Sequence, residues 1–73
     1  MKKVIVVEGM DNKQMGSAVA HILEGLSGVD RVTLDLEEES IIVEYGRGVL
    51  TEDELCDAIN EEGFDVVEIF DES

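Results

Sequence analysis

Proline is absent from this 73-residue chain, and cysteine and histidine each occur only once. A lone cysteine, Cys56, forms no internal disulfide, which excludes the stapled framework of small secreted proteins. No apolar run approaches the roughly 18 residues of a membrane-spanning helix. The start Met1, Lys2, Lys3 resembles the basic opening of a secretory signal. The apolar run Val4, Ile5, Val6, Val7 then stops at Glu8, short of the roughly 7–15 residues such a signal needs. The expectation is a cytoplasmic chain without membrane insertion.

Positive charge is equally scarce. Five Lys and Arg stand against 19 Asp and Glu, a formal net charge of −14. Phosphate backbones and anionic lipid repel such a polyanion, which makes nucleic acid and membrane surfaces poor partners; a basic protein face, a cation or no partner at all fits better. The hydrophobic content of 44% is that of a folded domain and too high for a disordered acidic tail. At this length a chain buries only about 60% of its unfolded surface, so one modest core and one domain over residues 1–73 are expected.

Residues 3–8 are apolar and β-branched at successive positions, the pattern of a strand buried on both faces or central in a sheet. Gly9 breaks it. Asp11 three residues before Gln14 reads as a weak capping box opening a helix. Met15, Val19, Ile22, Leu23 and Leu26 then form one apolar stripe, and Gly28 is placed to end it. Val32, Leu34 and Leu36 alternate with polar residues, a strand with one wet face. Glu37, Glu38, Glu39 and Ser40 form a polar turn into a second strand at 41–45, and 46–48 is a loop. Thr51 and Glu54 make a full capping box before a helix with Leu55, Ala58 and Ile59 inward, ending at Gly63. Residues 66–70 are the last strand and 71–73 a solvated tail.

The order strand-helix-strand-strand-helix-strand, with residues 28–32 echoing 63–67, predicts an α+β, ferredoxin-like βαββαβ sandwich. Four antiparallel strands carry both helices on one face, with the first and third strands central. The fold alone does not assign a function. A nucleophile needs a nearby base and a group to orient it. His21 lies off the apolar stripe and points to solvent, while Cys56 sits beside the inward face as a small hydrophobe. Neither Arg31 nor Arg47 sits in a glycine-rich cradle at a helix start, which sets aside acylphosphatase-like hydrolysis. Tyr45, Phe64 and Phe70 are the only aromatics, too few for stacking RNA bases. The run at 37–39 lacks the spacing of a calcium loop. No enzyme is expected.

The first strand-to-helix turn, residues 8–15, carries Gly9-Met10. It is followed in order by Leu26-Ser27-Gly28-Val29, Val32-Thr33-Leu34, Val43-Glu44-Tyr45 and Ala58-Ile59-Asn60-Glu61-Glu62-Gly63-Phe64. This ordered set, spanning 4–69, resembles the heavy-metal-associated domains of copper and zinc metallochaperones and of P-type metal ATPases. Their signature at the turn is Gly-Met-x-Cys-x-x-Cys. Aligned on Gly9-Met10, the two metal-binding cysteines fall on Asn12 and Met15.

That family holds a soft cation with two thiolates, which also neutralise its charge. An amide oxygen at Asn12 and a thioether at Met15 supply no such charge. The resemblance therefore implies a protein-docking or vestigial metal-transport accessory module with no cofactor. Met10, Lys13 and Phe64 would be its docking residues and a basic face of a metal-transporting ATPase domain its partner, with the chain itself a monomer or weak homodimer. The alternative is a weak non-standard site for a divalent ion or Cu(I). It would use Asp11, Asn12 and Met15, with Met10 as a further ligand or Cys56 recruited across a dimer.

Overall fold

The computed structural model describes residues 1–46, 48 and 50–72. Of the expected loop at 46–48, Arg47 lies outside the described residues, as do Val49 and, in the expected tail, Ser73. Six elements follow in chain order: β1 (Lys2–Val7), α1 (Lys13–Glu24), β2 (Val29–Asp35), β3 (Ser40–Tyr45), α2 (Glu52–Glu61) and β4 (Val66–Asp71). The strands form one antiparallel sheet in the order β2-β3-β1-β4. The two strands with the densest apolar runs, β1 and β3, are the central pair, as expected.

Alternation along those strands sends Ile5 and Val7 of β1 and Ile41, Val43 and Tyr45 of β3 toward the helices. They meet Val19 and Leu23 of α1 and Leu55 and Ile59 of α2 in one buried cluster that also holds Met10. Each such aliphatic side chain contributes roughly 1.5–3 kcal/mol on full burial. Of the two readings of β1, buried on both faces or central in the sheet, the second holds. Val4 and Val6 are only half-buried, and the sheet face they share with Ile42 carries no helix.

Both helix starts are set by side-chain caps, but α1 differs from expectation. Its N-cap is Asn12 rather than Asp11. The Asn12 Oδ1 accepts from the Met15 N–H at 2.9 Å, and Gln14 takes no part. Asn12 has extended backbone (φ −132°, ψ 160°) suited to a cap, one residue closer to the helix than Asp11. The helix also stops earlier than Gly28, at a C-cap Gly25 whose N–H reaches the carbonyl of His21. Leu26 lies past the helix yet still packs on the core. Gly28 (φ 97°) serves instead as the left-handed turn residue into β2.

The expected box on α2 is present in both directions. The Glu54 N–H donates to Thr51 Oγ1, and the Thr51 N–H donates to Glu54 Oε1, each at 3.2 Å. The helix ends in a Schellman motif on Gly63 (φ 91°): its N–H donates to the Asn60 carbonyl and that of Phe64 to the Ile59 carbonyl. Thus the two glycines of the internal echo, Gly28 and Gly63, do share a left-handed backbone.

The expected solvated tail is partly structural. Asp71 is the last residue of β4, and its carboxylate pairs with Lys3 on β1. The Lys3 ammonium also reaches Glu52 of α2 at 2.7 Å. Hydrogen bonds to Asp71 and then Glu52 hold the Lys3 ammonium charged well above the ordinary lysine range. One largely buried cation therefore joins the edge strand, a central strand and the second helix at the end of the sheet opposite the β1–α1 turn.

Candidate functional site

The β1–α1 turn is built by backbone bonds and one glycine. Gly9 has φ 76°, a conformation that a side chain would strain. The Met10 N–H donates to the Val7 carbonyl and the Asp11 N–H to that of Gly9, which folds the loop tightly. The Glu8 N–H donates to the Asp65 carbonyl at 2.9 Å, tying this turn to the α2–β4 connection. Phe64 is brought alongside α1 by that tie. It is half-buried and packs on the core, as expected for closure of the sheet end.

The turn scatters the expected ligand set. Asp11 and Asn12 are exposed, and the Asn12 oxygen already serves as the helix cap. Met15 is half-buried against the core. Met10 is fully buried at 0% exposure. That corrects its expected role, because a side chain sealed in the core offers neither sulfur to an ion nor surface to a partner. Cys56 is half-buried on α2, in a different element from the turn. Burial pushes its thiol up, reinforced by the carboxylates of Asp53, Glu52 and Asp57, so it stays protonated at neutral pH. Among the described residues, no three His, Cys, Asp or Glu side chains gather where they could hold an ion. The donors at the turn are thus one amide oxygen engaged as a cap, one exposed carboxylate at Asp11 and one thioether packed on the core, with no thiolate among them.

The turn does border a surface feature that sequence reasoning missed. An open groove of about 530 Å³ runs between α1 and the end of α2, lined by Gln14, Ser17, Ala18, Ile22, Glu62 and Phe64. His21, expected in solvent, is exposed and lies on the same wall. The signal was a pair of small residues, Ser17 and Ala18, one turn before Ile22 on the same helix face. Lys13 stands exposed at the first position of α1. Gly16 was missed as well. A Cβ there would lie 2.8 Å from Leu36 Cδ2, so glycine sets how closely α1 approaches β2.

Fold and turn together define the class, a split-βαβ domain that presents one capped β-to-α loop beside a helix-lined groove. No family model matches the chain. It is 37% identical over 65 residues to the copper chaperone CopZ of Staphylococcus epidermidis, covering 89% of this chain and 96% of that one. Identity to the CopZ of Staphylococcus haemolyticus is 33% over 66 residues, with 90% and 97% covered. Among solved structures, a CopZ metallochaperone superposes with a TM-score of 0.85 at 31% identity, covering 92% of this chain and all of that one. The yeast copper transporter domain Ccc2a gives 0.83 at 26%, with 99% and 97% covered. The chain belongs to the heavy-metal-associated domain family. That is a family of carriers, not of catalysts. Among the described residues no helix is long and apolar enough to cross a membrane.

Proposed function

We propose that this chain is a docking module of the heavy-metal-associated type that engages a basic protein face, its thiolate grip on a soft cation having been replaced by helix-capping and core-packing side chains. One observation carries the reading. Asn12 and Met15 stand where the resemblance puts the family's two cysteines, and both are occupied in holding the helix, Asn12 as its cap and Met15 against the core. Two neutral ligands on a surface turn fall far short of the roughly 10 kcal/mol or more that a thiolate zinc site supplies. Asp11 adds one exposed carboxylate, which in water holds a cation only weakly.

The relatives carry copper, as their names state, and CopZ is named a chaperone, a protein that hands its cargo to another. What this chain retains is the means of meeting that other protein. The groove beside the loop provides an apolar seat, with Phe64 and Ile22 in its wall. Glu62 lines it at the end of α2, and complementary charge of this kind guides association and selects the partner. A basic face, such as that of a metal-transporting ATPase domain, fits this surface, with Lys13 and Phe64 among the contacts.

The test is a titration of the 15N-labelled protein with Cu(I), Zn(II) and Cd(II), followed by amide shifts. The expected result is weak, unsaturated change spread over the acidic surface. Saturable shifts confined to residues 9–16 at micromolar metal would overturn the reading in favour of a site on Asp11, Asn12 and Met15.

A further inference from the structure

The face of the sheet opposite the helices is open, and its side chains fall into rows that the strand register fixes. The middle row is Thr33, Ile42, Val4 and Phe70, taken from β2, β3, β1 and β4 in turn. Three of the four are apolar, and Phe70 is 44% exposed although it is one of only two phenylalanines. Val6 sits below Val4 on the same face, and Val67 is exposed at the β4 irregularity opposite. Exposed Phe70 and Val67, with half-buried Val4, Val6 and Ile42 between them, form an apolar surface on a chain of net charge −14.

The row beside it is charged and alternates in sign: Arg31, Glu44, Lys2, Glu72. Arg31 lies opposite Glu44, and Glu44 opposite Lys2, in the ladders. The Glu72 N–H donates to the Lys2 carbonyl, which puts Glu72 beside Lys2 across the last strand pair. The pairs within the row are long, 3.8 Å for Lys2–Glu72 and 3.9 Å for Arg31–Glu44, so none of these charges is tightly engaged. Of the four described cations, two lie here. Lys3 is buried and Lys13 is on α1.

An alternating row of even length has a geometric property. A two-fold axis in the plane of the face and parallel to the strands lays β2 over the partner's β4 and β3 over the partner's β1. Arg31 then meets the partner's Glu72, and Glu44 meets the partner's Lys2, each contact occurring twice as an isologous interface requires. In the middle row the same operation sets Ile42 over the partner's Val4 and Phe70 over the partner's Thr33. The perpendicular axis instead sets Glu72 over the partner's Glu68 and Lys2 over the partner's Val6. Only the first axis matches charge with charge along the whole row. Its cost lies in the outermost row, where Asp35 faces the partner's Glu68, both exposed and screened by water.

We propose that this open sheet face pairs with the same face of a second copy, about an axis parallel to the strands, through Val4, Ile42 and Phe70 and the alternating row of Arg31, Glu44, Lys2 and Glu72. It lies opposite the helices, so a dimer so formed leaves the α1–α2 groove of both copies free. The plane of four short strands covers on the order of 400 Å² per copy, which places the pair among weak, reversible associations. A dissociation constant on the order of 10⁻⁴ M is expected in about 0.15 M salt.

Sedimentation and NMR diffusion from about 10 µM to about 2 mM test the association. Three variants test the arrangement: Phe70→Asp, Lys2→Glu and Glu44→Lys, each verified as folded by amide dispersion. Each alone is expected to weaken association at least about fivefold, and mixing Lys2→Glu with Glu44→Lys to restore it, since each sign reversal then meets its opposite on the other copy. A monomer at every concentration overturns the proposal and leaves the face to a different occupant. Association that survives Phe70→Asp, maps to α1, or is not restored by mixing overturns it equally.

Discussion

The two helices pack on the same sheet and both begin with a side-chain cap, yet their outer faces have little in common. The exposed positions of α1 hold Lys13, Gln14, Ser17, Ala18, His21 and Glu24, nearly neutral in sum. Those of α2 hold Glu52, Asp53, Glu54, Asp57 and Glu61 with no cation among them. Three acids in the first turn of α2 favour its positive dipole end, whereas α1 has none there and starts on a lysine. The difference teaches that the large negative charge is not spread evenly. The outer face of α2 carries five of the 19 acids with no cation to balance them, whereas the helix that bears the turn keeps a neutral, small-residue surface.

The strongest way to break this comparison is to rebuild what α1 lacks. Replacing Asn12 and Met15 together by cysteine restores two thiolates at the start of a helix, where the dipole lowers thiol pKa. Affinity for Cu(I) is expected to rise by at least about a thousandfold over the parent chain, measured by competition with a chelator. Failure to gain affinity would show that two thiolates at this turn do not suffice to hold the ion.

Next comes the closeness of α1 to the sheet. Gly16→Val drives two methyl groups toward Leu36 and Leu34, and chemical denaturation is expected to show a loss of about 2 kcal/mol. An unchanged midpoint would mean that α1 can ride outward freely. The caps give a smaller and more pointed contrast. Thr51→Ala removes a reciprocal box on α2 and is expected to cost about 1–2 kcal/mol, while Asn12→Ala removes one bond on α1 and costs about 1 kcal/mol or less.

The smallest effect concerns Cys56. Only the thiolate reacts, and burial with three nearby carboxylates raises the thiol pKa. Alkylation near pH 8 is therefore expected to be slower than that of an ordinary exposed cysteine. Its rate should keep climbing with pH after the exposed thiol has levelled off. Rapid labelling at neutral pH would contradict the shielding that α2 provides.

Much of this architecture was legible in the residues, because burial leaves periodic traces. The apolar stripe of α1, the alternation of Val32 and Leu34 and the Thr51–Glu54 box each translate directly into an element. What the pattern could not fix were choices between neighbours. Asp11 and Asn12 are both good caps, and only the backbone entering the helix decides that the second one serves. Likewise Leu26 continues the helical stripe in sequence but reaches the core from beyond the helix end. The open sheet face was hidden for a related reason: Val4, Val6 and Ile42 read as core, since a linear pattern does not say which face a helix covers. The role of Lys3 was invisible because its partners, Glu52 and Asp71, are distant in sequence.

That lysine has a consequence for how such a chain responds to substitution. By fastening three elements at the pole farthest from the β1–α1 turn, it ties the sheet to α2 at a place that a substitution in the turn does not touch. A change at the turn then loosens the start of α1 and leaves the far end of the sheet fastened.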